Sequence, residues 1–299
     1  MGGRRSVHSV MAFGLAQRRP KSTAGAPQHG LTTRRAYALP VTHAIEYGGL
    51  MALAWDPLRG DTSRWEDRAF FLDRIRELGE PVLDVGCGTG RLLLDYRALG
   101  IDIDGVEIAP EMLAILRSKA QAAGLDVDGR IHEVAMEAMA LARHYRLVLV
   151  PSSSFQLVLE PAGAVAAMAR FFEHLAPGGT LIMPWIDIPT DYADAREDRF
   201  EREATMDDGS TVRRRFRGWF DPKAGLEHTD DQYEVIRDGV VVERQRILRS
   251  PATRHYPRST ISRLHADAGF VDLRWGSGFT LDPPRDDDRI VTTLARRPG

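Results

Sequence analysis

The sequence has a single cysteine, Cys87, among 299 residues. A lone thiol excludes an internal disulfide and fits a reducing compartment, so a cytoplasmic location is expected. Also missing is any run approaching the roughly 20 uninterrupted apolar residues that a membrane-spanning helix needs, which argues against an integral membrane protein. Acid is absent from the first 45 residues, where seven Lys or Arg stand before the first carboxylate, Glu46. The rest of the chain then holds 33 basic against 42 acidic residues. A body that acidic is poorly suited to neutralising a nucleic-acid backbone. The acid-free stretch 1–45, centred on "RRPKSTAGAPQHG", reads as a disordered tail or an over-long gene start, with an organelle-targeting segment as the alternative. No internal repeat is visible, and no metal site is expected.

What is present is an ordinary globular composition, 43% hydrophobic, ample for a buried core. Trp65, Phe70, Leu72, Ile75 and Leu78 stand at near-helical spacing and are stopped by Gly79 and Pro81, so a helix delivers the chain to a strand. From there strand-like runs alternate with helical stretches: "PVLDV", a helix from Gly90, "IDIDGVEI", a helix from Pro110, a run near Ile131, "YRLVLV", a helix across "AGAVAAMARFFEHL", and "TLIMPWI". This rhythm implies parallel βαβ units.

Between residues 199 and 249 the helical period disappears. Strand-like runs are parted there by "DDGS", "DPKAG" and "RDGV", which are hairpin signals. A helix near Thr260–Ala268 and the runs "FVDLRW" and "RIVTTLAR" close the chain. The expected fold is therefore α/β: a Rossmann-like, seven-stranded, mostly parallel sheet flanked by helices, with an inserted antiparallel β-meander. The expected division is a tail over 1–45, a core over 46–190, the insertion over 191–257, and a helix with the last two core strands over 258–299. In "VRRRFRGWF", alternation puts Arg213 and Arg215 on one face and Arg214 on the other, with "EDRFERE" supplying carboxylates.

The chemistry concentrates in "VLDVGCGTGRLLL". Glycines in a strand–turn–helix unit allow positive φ and bring bare N–H groups against a ligand. The spacing is not that of a dinucleotide turn, because Arg91 stands where helix packing wants a small residue, and Asp84 would repel a pyrophosphate. A nucleoside cofactor bearing an ammonium and a sulfonium in place of phosphates fits better. Glu107, 21 residues after Gly86, stands at the tip of the next strand, where a carboxylate accepts ribose hydroxyls.

"VLDVGCGTG" followed by "GVEIAPEML" resembles the first two motifs of class I S-adenosylmethionine-dependent methyltransferases, and the likeness continues through "AMEAMAL", "YRLVLVPSSSF" and "LAPGGTLIM". It implies that the turn of Gly86, Cys87, Gly88 and Gly90 holds the methionine part of S-adenosylmethionine, that Asp84 reaches its ammonium through water, and that Glu107 holds the ribose. Ile108, Met112, Met136, Glu137 and Pro151 complete the implied cofactor site. An Asp that often contacts adenine in the family is replaced here by Ala135.

The acceptor should lie beyond the carboxyl ends of the strands. This directs attention to Ser152, Ser154 and Phe155, to Trp185 and Asp187, to Tyr47 and Trp55, and to the meander. The Asn-Pro-Pro-Tyr signature of nucleobase and glutamine amino-group methylation is absent. A weaker similarity joins the chain to amino-sugar N-methyltransferases, whose Gly-His pair is here Gln156-Leu157. His255 and Tyr256 are candidates for a base, with a satisfied loop histidine as the alternative to a catalytic one. The resemblance implies methyl transfer to a nitrogen or oxygen of a small molecule. A protein or RNA acceptor, or a non-catalytic cofactor-binding scaffold with the meander as a homodimer interface, stands as the alternative.

Overall fold

The computed structural model describes residues 41–42, 47–187 and 197–299. Apart from Val41 and Thr42, the stretch read as a tail lies outside the described residues.

The central sheet has the order β4-β3-β2-β5-β6-β12-β11. Its members are β2 (Val82–Val85), β3 (Ile103–Glu107), β4 (Ile131–Glu133), β5 (Tyr145–Leu149), β6 (Leu175–Ile186), β11 (Val271–Ser277) and β12 (Ile290–Arg296). Strands β4 through β6 are parallel; β12 runs antiparallel to both β6 and β11. The seven-stranded, mostly parallel sheet expected from the strand–helix rhythm is present.

Parallel strands covered on both faces read as continuous apolar runs, and all four residues of β2 are buried. One face is covered by α3 (Glu66–Leu78), α4 (Arg91–Ala98) and α5 (Pro110–Ala122), through Phe71, Ile75, Leu93, Leu113 and Leu116. The other is covered by α6 (Pro161–His174) and α7 (Arg258–Asp267), through Ala167, Met168, Phe171, Ile261 and Leu264. Each fully buried Leu or Phe contributes roughly 1.5 to 3 kcal/mol. The chain leaves β2 toward β3 on one side and returns to β5 on the other, so the order reverses between β2 and β5. In such sheets ligands bind outside the carboxyl ends of the strands at this point.

The insertion is a second sheet of order β1-β10-β9-β8-β7. It comprises β7 (Glu197–Thr205), β8 (Thr211–Asp221), β9 (Leu226–Arg237) and β10 (Val240–Arg254), all antiparallel, with β1 (Val41–Thr42) parallel to β10. On its outer face Arg213, Arg215 and Arg217 pair with Glu203, Glu201 and Glu197. On its inner face Val212, Phe216, Tyr233, Val235 and Ile247 bury Leu50, Met51, Ala54 and Leu58. Those four belong to α1 (Leu50–Leu53), α2 (Trp55–Arg59) and the residue joining them. The Leu50 N–H also donates to Gln245 Oε1 at 2.6 Å. Thus the segment before the core seats on the insertion.

Candidate active site

The turn after β2 is built by its glycines. Gly86 has φ +77°, and a Cβ there would stand 2.7 Å from Ser154 Oγ, so only glycine lets the segment after β5 approach. Gly88 has φ +55° and nothing within 4 Å of where a Cβ would project, which leaves open space on that side of the turn. The Gly86 and Cys87 N–H groups donate to the Val106 carbonyl at 2.7 and 3.0 Å, tying the turn to β3.

Asp84 is buried beneath this turn, and its Oδ1 is sealed from solvent with no hydrogen-bond partner. Burial pushes its carboxyl up to about 7, with nearby Arg91 opposing and Glu107 adding to the rise. Glu107, at the tip of β3, spreads over the turn: Oε2 accepts the Gly88 N–H at 3.0 Å, while Oε1 accepts those of Ile108 and Ala109 at 2.9 Å each. Cys87 is buried against Gly105, and burial raises its thiol well above the usual range, so it packs as a small apolar residue. Met112 is buried with Ala52 and Ala109, and Ile108 is exposed. Met136 is half-buried, Glu137 exposed and Pro151 buried. The structure thus brings Asp84, the glycines and Glu107 together.

The expected acceptor residues divide. Ser152 is exposed; Ser154 is buried and donates to the Pro151 carbonyl. Phe155 and Trp185, expected at an acceptor pocket, and Tyr256, expected as a base, instead pack on one another inside the core, with ring centroids 5.1 to 5.9 Å apart. Trp185 Nε1 donates to Thr293 Oγ1 at 2.9 Å, and the Tyr256 hydroxyl donates to the Val158 carbonyl at 2.6 Å. Burial also raises the Tyr256 phenol to about 12. Aromatic residues at strand ends bury large apolar areas once a helix covers them, and that packing decides their place. His255 Nε2 lies 3.6 Å from Asp187 Oδ1, and Arg258 Nε donates to Asp187 Oδ2 at 2.7 Å. Burial alone would raise the Asp187 carboxyl; the hydrogen bonds from His255 and Arg258 outweigh it and hold it below the usual range.

Tyr47 and Trp55 meet edge to face at 4.8 Å. Both pack beside Ala109 and Met112, and both line a narrow cleft against the inner face of the insertion, with enclosed space of only ≈ 10 Å³. Arg214, Tyr233 and Arg249 share that lining, as do Glu227, Thr229 and Thr253. Arg214 reaches the wholly buried Asp231 at 2.6 Å.

Sequence reasoning missed how the N-terminal segment clamps the turn. Thr89 Oγ1 donates to Asp56 Oδ1 at 2.7 Å, and Lys119 Nζ donates to Asp56 Oδ2 at 2.8 Å. Arg91 forms a two-pronged pair with Asp67 at 3.0 and 2.5 Å and lies over the Trp65 ring. The only signal in the sequence was the dense charge and tryptophan of "WDPLRGDTSRWED".

Residues 82–179 match the methyltransferase domain family. The match covers less than half of the chain. The chain is 35% identical over 132 residues to a demethylmenaquinone methyltransferase of Thermus thermophilus, covering 42% of this chain and 54% of that protein. It is 31% identical over 134 residues to a dTDP-3-amino-3,4,6-trideoxy-alpha-D-glucopyranose N,N-dimethyltransferase of Streptomyces venezuelae, covering 44% and 52%. The chain spans about half the length of these curated relatives. Among solved structures, the amino pentose methyltransferase CalS10 of Micromonospora echinaspora, with S-adenosylmethionine bound, superposes with a TM-score of 0.61 and 25% identity, covering 86% of this chain and 100% of that one. An S-adenosylmethionine-dependent methyltransferase from Clostridium acetobutylicum superposes with a TM-score of 0.65 at 17% identity, covering 80% and 93%, a likeness of fold. Among the described residues no helix is long and apolar enough to cross a membrane.

Proposed function

We propose that the chain transfers a methyl group from S-adenosylmethionine to a nitrogen or oxygen of a small molecule. The observation that carries this reading is Asp84 Oδ1, a carboxyl oxygen sealed without a partner in β2, the strand that enters the glycine turn. A pyrophosphate is repelled by such a group, whereas an ammonium satisfies it. The residues therefore fit the cofactor of the family that the domain matches.

S-adenosylmethionine supplies, when bound, a methyl group activated by its positive sulfur. The protein's part is alignment and exclusion of water. Asp84 receives the ammonium, the turn from Gly86 to Gly90 with Cys87 carries the methionine part, and Glu107 accepts the ribose hydroxyls. Ile108, Met112, Met136, Glu137 and Pro151 surround the adenosine. The α1–α2 segment covers the turn and faces the acceptor with Tyr47 and Trp55. The acceptor approaches at the open mouth of the narrow cleft between these rings and the insertion, where aromatic walls stand beside a few polar groups. The relatives that act on quinones and amino sugars support a small acceptor. Where the acceptor arrives protonated, His255, oriented by Asp187, takes the proton.

In this reading residues 46–190 and 258–299 form the cofactor-binding core, and 191–257 cover the acceptor and offer a face for a homodimer. The acidic body disfavours nucleic acid as acceptor, and the single buried thiol suits the cytoplasm.

Calorimetric titration with S-adenosylmethionine, S-adenosylhomocysteine and NAD tests the reading. Binding of the two adenosyl ligands, lost in Asp84→Ala, is expected. Binding of NAD alone, or of none of the three, overturns it.

A further inference from the structure

Strand β7 forms an open edge of the second sheet. At the opposite edge β10 is paired with β1, whereas among the described residues no strand pairs with the outer side of β7. The hairpin that follows β7 fixes which way its backbone groups point. The Met206 N–H donates to the Ser210 carbonyl at 2.8 Å, and the register with β8 then runs unbroken from Thr205 opposite Thr211 to Glu197 opposite Trp219. Backbone groups of successive residues alternate in direction, so Asp198, Phe200, Arg202 and Ala204 turn theirs toward β8. Arg199, Glu201 and Glu203 turn theirs outward, where they need water or another strand.

Charged side chains on an open edge usually repel a further strand. Here their order does the opposite. In "DRFER", Asp198 to Arg202, reading the segment backward sets a base against each acid and keeps the phenylalanine at the centre. An antiparallel copy centred on Phe200 therefore places Arg199 against the partner's Glu201 and Asp198 against the partner's Arg202, each twice by the two-fold symmetry.

The direction of the backbone groups agrees with this register. Arg199 and Glu201 carry outward groups, so these two residues exchange the N–H···O=C bonds between copies, and Phe200 falls in the intervening pair, where side chains stand closest. Phe200 already stacks on Phe216, with ring centroids 4.6 Å apart and planes 15° apart, and the partner's Phe200 extends that stack. Moving the centre by one residue either way sets Arg199 on Arg199 or Glu201 on Glu201. At the Phe200 register the one like-charge meeting is Glu197 with Glu203. Glu197 is held by Arg217 at 2.8 Å and Glu203 by Arg213 within each chain, which mutes that repulsion.

We propose that two copies of the chain pair through β7 in this register, joining their second sheets into one. This narrows the homodimer face of the insertion to a single strand edge and does not depend on the methyl-transfer reading. A pairing of so few residues buries little surface, so the dimer is reversible and follows concentration.

Sedimentation equilibrium of the full chain over a concentration series tests this, with Asp198→Arg, Arg202→Asp and an equimolar mixture of the two variants. Each variant sets like charges face to face at two places between copies and is expected to raise the dimer dissociation constant by at least about tenfold. Neither sets like charges directly opposite along β8, where Asp198 faces Gly218 and Arg202 faces Arg214. In the mixture each variant supplies the charge that the other lacks, so affinity is expected to return to within about threefold of the unmodified chain. A dimer unaffected by either variant overturns the β7 pairing and leaves the homodimer to another surface. Variants that dissociate and do not recover on mixing overturn the register. An unmodified chain that stays monomeric throughout overturns the pairing and the homodimer face together.

Discussion

Glu107 Oε2 accepts the backbone N–H of Gly88 at 3.0 Å, so the acid at the tip of β3 closes over the glycine turn and has a structural role as well as a proposed ribose contact. Because its other oxygen takes the N–H groups of Ile108 and Ala109, Glu107→Ala leaves three backbone donors to find water. The expected outcome is a loss of about 1 to 3 kcal/mol in S-adenosylhomocysteine binding, together with a lower melting temperature. Calorimetric titration and thermal denaturation of the same preparation separate the two effects. Wild-type affinity in a destabilised variant would leave Glu107 only its structural role.

Asp84 makes the free protein and the bound one respond oppositely to pH. Its folded carboxyl is raised to about 7 from 3.8, so between those values the folded state holds a proton that the unfolded state has lost. Stability therefore falls as pH rises through this window, by on the order of 4 kcal/mol from this group. Asp84→Asn should raise the melting temperature at pH 8 more than at pH 4. Binding of an ammonium needs the ionised form, so affinity for S-adenosylhomocysteine should climb up to about tenfold per unit as pH approaches 7, and the slope should vanish in Asp84→Asn. A pH-independent affinity in the wild type would refute this coupling.

Asp56 ties the N-terminal segment to two core elements, through Thr89 and Lys119. The Lys119 contact is partly exposed and contributes little, roughly 0 to 1 kcal/mol. The Thr89 contact fixes α2 over the turn. Asp56→Ala should speed proteolytic cleavage near residues 47–59 and raise the dissociation rate of adenosyl ligands several-fold, while the core melts nearly as before. Stopped-flow displacement and limited proteolysis measure both, and an unchanged dissociation rate would count against a covering role.

Asp231 is wholly buried and faces Arg214 at 2.6 Å and Arg249 at 3.8 Å. Removing the acid strands buried guanidinium groups, so Asp231→Ala should destabilise by about 3 to 5 kcal/mol. Replacing only the charge, as in Asp231→Asn, should cost less because one acceptor oxygen remains. Denaturant unfolding of the two variants gives the ranking; equal small losses would show that the pair is solvated.

The sequence by itself determined the parallel sheet, the meander and the glycine turn. Local chemistry was sufficient there: β-rich runs alternating with helices, Asp-Gly between strands, glycines that alone tolerate positive φ at 86 and 88, and carboxylates at strand ends. Only the tertiary structure decided the fate of Phe155, Trp185 and Tyr256, whose residue types suit a pocket wall and a packed core equally well, and which the covering of the sheet by α6 and α7 drew inward. It also decided the roles of Asp56 and Asp67. Their meaning depends on which partners arrive from Thr89, Lys119 and Arg91, up to 63 residues away in the chain. A charge paired across such a distance carries no periodicity or local signal, so what it does becomes visible only once the chain has folded.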